Sequence, residues 1–399
     1  MTKLRYDTET IKEKISHYVL DLLKDESEPD DDRLKQIIAN VISEDPDKLS
    51  LSLQEKRELA LNVFNSLRRL DVIEPMMQDP QVTEIMVNGP NDIYYEKGGK
   101  LYRSEIRFKD KNSLLTLISC FFANSNRPLN EANPISDLRL PDGSRANAVL
   151  PPVAPDGPII TIRKFTGIRH DIASLIRQGF VTDNMARFLF ECVKNKKTIF
   201  LCGGTGSGKT TFLNTLSSFI PSEERVVTIE DSAELSLQGI TNLVRLEARL
   251  PGPDGSGEIT IGTLIRAALR MRPDRIIVGE VRGTESADMM HALNTGHPGS
   301  MCTGHANSCY EMLERLTGMV MAGSGLPFEA VITQISMGID IVLHITRNRE
   351  GKRYVDEISC LLPPEDNEYK LMTLFSNKGG ENFVQHCSDE TLYKISSYR

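Results

Sequence analysis

Residues 203–210 read Gly203-Gly204-Thr205-Gly206-Ser207-Gly208-Lys209-Thr210, which fits G-x-x-x-x-G-K-[ST]. An apolar strand candidate, Thr198 to Cys202, leads into the run, and a helix is expected from about Thr211. Residues of these types in this order can hold a chain of phosphates. Glycines leave no Cβ in the way, so consecutive backbone amides can turn inward, and the positive end of the following helix adds to the attraction. Lys209 is expected to reach the β- and γ-phosphates of a nucleoside triphosphate, and the Thr210 hydroxyl to offer one ligand to Mg²⁺. Binding follows from this loop alone; hydrolysis needs further groups.

Two acidic positions downstream are suited to supply them. Val226 to Ile229 reads as a strand ending in Glu230-Asp231, with Glu234 beyond, and Arg275 to Val278 as another ending in Gly279-Glu280-Val281-Arg282. The carboxyl ends of parallel strands open on a shared crevice, so Glu230 and Glu280 are expected near the same γ-phosphate. One would hold Mg²⁺ and the other would orient or deprotonate the attacking water. Position 279 is Gly where many such enzymes carry Asp, so the expected contact to the metal runs through water. A carboxylate after a strand is otherwise a surface or capping group, and that reading stays open for each one taken singly. Asn294 to His297 and Cys302 to Ser308 form a Gly/His/Thr-rich stretch in which His305 is expected to donate to a phosphate oxygen. His291, His297 and His305 lack the spacing of a metal site.

With these pieces in place the chain resembles the secretion ATPases of the type II and type IV superfamily, and within it the CpaF-like ATPases of Tad/Flp pilus systems. The matching segments are 203–211, which adds Thr211 to the loop, 228–235, 272–282 and 295–307, in the family's order. In that family Gly before the second Glu is usual, as Gly279 is here. The resemblance implies an α+β sensor-like domain followed by a RecA-like motor, closing on ATP within a hexameric ring that is cytoplasmic and sits against the inner face of the membrane. It implies an inner-membrane platform protein as partner, and a pilin or secreted substrate indirectly. By position, Arg145 and Arg163 look like the paired arginines presented to the γ-phosphate. Arg245 and Arg249 resemble motor positions facing the nucleotide or the next subunit.

These residues need elements to hold them. Helical periodicity at Ile11, Ile15, Val19 and Leu22, at Leu34, Ile37, Ile38 and Val41, and at Leu59, Val63, Phe64 and Leu67 predicts a small helical segment over 1–70, broken by the acidic run Asp25 to Asp32. Alternation and turn pairs predict an α+β domain over 71–165. Its hairpins turn at Gly98-Gly99 and Asp142-Gly143, and Ile160 to Lys164 reads as an edge-like strand. Residues 166–180 read as a linker. From 181 to 399 helices alternate with short apolar strands, the pattern of an α/β fold with a mostly parallel sheet, here a P-loop motor domain with an ambiguous polar tail after Pro363.

Composition narrows the function. Hydrophobic residues make up 40% and charged residues 26%, as in globular proteins. Residues 1–24 show no apolar run with a small-residue cleavage site, and the seven scattered cysteines show no C-x-x-C spacing, so a reducing compartment is expected. A net charge of -8 disfavours direct nucleic-acid binding. The reading is therefore an ATP-hydrolysing motor, against the alternative of a nucleotide-gated ring scaffold with negligible turnover.

Overall fold

In the computed structural model the chain divides into two units, 1–166 and 167–399. The described residues are 31–43, 52–68, 71–123, 129–140, 142–165, 171–249, 251–252, 256–348, 350–380 and 382–397, with isolated helical positions between 11 and 22.

In the first unit, alternating side chains build a six-stranded sheet. Its strands are β1 (Val82–Asn88), β2 (Ile93–Lys97), β3 (Lys100–Arg103), β4 (Ile135–Arg139), β5 (Arg145–Val149) and β6 (Ile159–Arg163), in the order β3-β2-β1-β6-β5-β4. Ile85, Val87, Ile93, Ala146, Ala148, Ile160 and Ile162 turn to one face and meet Leu114, Ile118 and Phe122 of the helix Lys111–Ala123. β2 and β3 are joined by Gly98-Gly99, both at positive φ, a turn whose twist matches that of the strands. β6 is not the edge-like strand the sequence suggested. It pairs with β1 on one side and β5 on the other, and alternation could not show this because it reports a buried face, not the number of neighbours.

Ahead of the sheet, the helices Asp31–Ser43 and Leu53–Arg68 bury Leu34, Ile38 and Ile42 with Leu59, Val63 and Phe64. Asp31 and Asp32 open a helix and do not belong to the break, since carboxylates are favoured at a helix N-terminus. The expected break over residues 25–30 lies outside the described residues. Ser52 and Glu55 cap the second helix reciprocally, at 2.7 and 3.2 Å.

The second unit holds a nine-stranded sheet, ordered β15-β14-β13-β12-β7-β11-β10-β8-β9. β7 (Ile199–Gly203), β8 (Arg225–Glu230), β9 (Asn242–Glu247), β10 (Arg275–Val278), β11 (Met301–Gly304) and β12 (Ile341–Arg347) run parallel. β13 (Arg353–Glu365), β14 (Glu368–Lys378) and β15 (Asn382–Gln385) continue antiparallel. Every residue of β7 is buried, as expected for a parallel strand covered on both faces.

Two expectations are corrected here. The described part of the stretch read as a linker holds the helix Ile172–Arg177, capped by Asp171, which accepts from the Ser174 amide at 2.6 Å, and Leu175 and Phe180 enter the core; residues 166–170 lie outside the described residues. The region after Pro363 is largely a long hairpin, turning on Asp366-Asn367 at φ 53° and 62° and burying Tyr369, Leu374 and Phe375, before the helix Asp389–Ser397. The charged turn and the two prolines at 363 and 364 hid the alternation, because the register shifts between Leu362 and Glu365.

At the N-terminal ends of the strands Arg275 is fully buried. Its Nε and Nη2 donate to Glu224 at 2.6 and 3.1 Å, and Nη1 donates to the carbonyls of Val193 and Gly299 at 2.7 and 3.3 Å. One side chain thus ties a helix end and two loops to β10.

Candidate nucleotide site

β7 is the strand that delivers the glycine-rich loop, and its last residue explains why the loop begins with glycine. A Cβ on Gly203 would stand 2.2 Å from the Ile345 carbonyl oxygen of β12. At the far end Gly208 has φ 102° and caps the helix Lys209–Ser217, a conformation side-chain-bearing residues rarely adopt. Strand, loop and helix therefore follow one another as the sequence predicted.

Lys209 is buried, and its Nζ donates to the carbonyls of Gly203 and Gly204 at 3.0 and 3.1 Å. The same ammonium lies 3.5 and 3.4 Å from Nδ1 and Nε2 of His305, and His305 Nε2 lies 2.8 Å from Glu280 Oε1. Glu280 Oε2 accepts from Arg282 Nη2 at 3.0 Å, and Arg282 Nη1 stands 3.7 Å from Asp231. The segments after β7, β8, β10 and β11 thus meet in a row of alternating charge with an imidazole in it. Burial and then the Lys209 charge push the His305 pKa down, with Glu280 opposing, so the ring is held neutral at pH 7.

Glu230 is placed differently. It is buried at the end of β8, and its Oε1 accepts from the amides of Glu234 and Leu235, each at 2.8 Å. It therefore holds the loop that follows its own strand. A Cβ at position 279 would come within 2.9 Å of Glu230 Cγ, so Gly279 makes room for that carboxylate.

The structure does not bring Arg245 and Arg249 to the glycine-rich loop. Arg245 is exposed on the edge strand β9, four strands from β7, or about 19 Å at ordinary strand spacing. Arg249 donates through Nε to the Gly257 carbonyl and lines a polar cleft of about 460 Å³ with Asp231, Arg266, Arg282 and Glu285. In the first unit Arg145 and Arg163 are direct cross-strand partners, and Arg139 stands opposite Arg145, so three arginines form one row. Arg163 is exposed, and its side chain has no hydrogen bond or ion pair among the described residues.

Sequence reasoning gave no role to Arg282, although it lay inside a quoted motif, and overlooked Arg353 on β13. The Arg353 Nε donates to the Gly206 carbonyl at 2.8 Å. Nothing in the sequence joins positions 147 apart.

A nine-stranded, mostly parallel sheet with this loop at the end of a central strand defines a RecA-like P-loop ATPase. The family described as type II/IV secretion system protein matches residues 67–387, and the chain belongs to it. A putative conjugal transfer protein of Mycobacterium tuberculosis is 35% identical over 314 residues, 77% of this chain and 89% of its own. The type IV secretion system protein VirB11 of Brucella suis is 31% identical over 306 residues, 69% and 84%. Among solved structures, the pilus retraction motor PilT with bound ADP shares the fold at TM-score 0.52 and 17% identity, covering 82% of this chain and 85% of its own.

Proposed function

We propose that this chain is an ATP-hydrolysing motor that works as a hexamer on the inner face of the membrane, powering pilus assembly or protein export through a membrane platform protein. The relatives' names and the sequence resemblance support the export or pilus role, and the resemblance alone supports placement in the CpaF-like, Tad-type branch. The observation that carries the hydrolytic reading is the approach of Glu280, through His305, to Lys209. A carboxylate standing this near the lysine of the phosphate loop, with a buried Oε1 that accepts no hydrogen bond among the described residues, is positioned to orient the attacking water, while Glu230 is committed to two amides and acts by holding its loop.

Oxygen donors suited to a hard cation are present in Thr210, Glu230 and Glu280, and Mg²⁺ held there would neutralise charge on the β- and γ-phosphates. Glu230 Oε1 is taken by two amides and Glu280 Oε2 by Arg282, while the buried Glu280 Oε1 accepts no hydrogen bond among the described residues; with Gly at 279, contact through water is the better fit. Arg145 and Arg163 are assigned to the γ-phosphate. The loop residues Gly203 to Thr211 are assigned to the phosphate chain, and Arg245 and Arg249 to a neighbouring subunit.

The test is Mg²⁺-dependent phosphate release by the full chain, with light scattering for ring formation. Glu280→Gln is expected to keep ATP affinity and lower turnover by about 10²-fold or more. Normal turnover in that variant would remove Glu280 from the mechanism, and binding without turnover in the wild type would favour the scaffold.

A further inference from the structure

The peptide between Gly206 and Ser207 joins a half-buried glycine to a buried serine. Gly206 has φ 70°, and a Cβ there would meet nothing within 4 Å, so no side chain packs against the peptide on that side. Two hydrogen bonds hold it. The Ser207 amide donates to the Gly204 carbonyl at 3.3 Å, and the Gly206 carbonyl accepts from Arg353 Nε at 2.8 Å. The second is the shorter, and it comes from outside the loop.

Arg353 stands on a firm base. It is the first residue of β13 and pairs with Arg347 of β12. Two residues on, the Val355 amide donates to the Phe180 carbonyl at 2.9 Å, and the Phe180 ring packs on Phe212 of the helix after the loop, with centroids 5.1 Å apart. The Arg353 stem crosses Gly208, its Cδ 3.7 Å from where a Cβ there would stand. The Arg353 side chain makes no other hydrogen bond or ion pair among the described residues.

We infer that Arg353 is a positioning residue of the phosphate loop, fixing the Gly206–Ser207 peptide so that its carbonyl is held outward and away from the anionic ligand. This rests on the reading of the loop as the nucleotide site. A peptide turned the other way would aim a carbonyl dipole at phosphate. The effect falls equally on ground and transition state, so it acts on affinity and leaves the chemical step alone.

The experiment uses the full chain with Arg353→Ala, Arg353→Lys and Lys209→Ala, reading ATP and ADP affinity by calorimetry, KM and kcat, and amide hydrogen exchange at 206–209. Arg353→Ala is expected to weaken ATP and ADP alike by about 10-fold, the worth of one such hydrogen bond. KM should rise in parallel at unchanged kcat, with faster exchange in the loop. Arg353→Lys should recover most of the affinity, since one ammonium suffices for a carbonyl. Unchanged affinity and exchange in Arg353→Ala would overturn the inference. So would a lysine variant as weak as alanine, because that would make the guanidinium a direct phosphate ligand. If Lys209→Ala also bound normally, the nucleotide-site reading itself would fall.

Discussion

Glu230 runs past the backbone of Gly279 so closely that a single added carbon at 279 would lie 2.9 Å from its Cγ. The missing side chain at 279 and the buried carboxylate at 230 are one arrangement, distributed over neighbouring strands. Gly279→Ala is therefore expected to push Glu230 off the amides of Glu234 and Leu235, costing about 1–3 kcal/mol as overpacking does, and to reduce turnover with it. Thermal melts and phosphate release on the same preparation check this. A fully stable, fully active alanine variant would show that Glu230 need not stay where it is.

His305 gives the site a pH dependence of known sign. Its folded pKa lies below the ordinary 6.5, so between the two values the unfolded chain binds more protons and stability rises with pH. The penalty sets in as pH falls through about 6.5 and stops growing below the folded pKa. In the facing groups, Lys209, Arg282 and Arg315 disfavour the proton and Glu280 favours it. His305→Asn should flatten this part of the stability curve, measured by denaturant titration between pH 7 and 5. An unchanged slope would mean the ring is protonated as easily in the folded protein as outside it.

Arg145→Ala with Arg163→Ala should cut phosphate release by about 10³-fold or more, with a smaller loss of affinity, as for arginines that stabilise a transferring phosphoryl group. Arg→Lys at both should rescue little, because an ammonium lacks the planar fork. Wild-type turnover in the double alanine variant would leave them ordinary strand residues.

Arg275→Met should destabilise the second unit by up to about 3–5 kcal/mol, because it leaves the buried Glu224 with only the half-exposed Lys196 ammonium, 3.7 Å away, and takes a donor from the carbonyls of Val193 and Gly299. Adding Glu224→Leu should recover only part, since the Gly299 carbonyl loses the guanidinium and the Val193 carbonyl keeps only backbone amides such as that of Lys196. Full recovery in the double variant would make the ion pair the whole of the effect.

The glycine-rich loop and the strands leading to Glu230 and Glu280 were legible because each rests on a local pattern, a fixed spacing or an apolar run before a charged residue. What was not legible depends on pairing across the sheet. β6 looked like an edge because its pattern is the same with one neighbour or two. The Asp366-Asn367 hairpin was masked by its charges, and Arg353 reaches Gly206 only because β13 folds back beside β12. The roles of Glu230 and Glu280 were interchangeable on paper. Only the two amides on one and the imidazole on the other tell them apart.

β10 carries Arg275 at its first residue and is followed two residues past its end by Glu280, with about 13 Å of strand between anchor and chemistry. The sheet is thus tethered at one rim and carries the proposed nucleotide site at the other. Damage at the anchored rim should therefore show first as lost stability, and damage in the loops of the opposite rim, Gly203 and Gly279 apart, first as lost nucleotide handling.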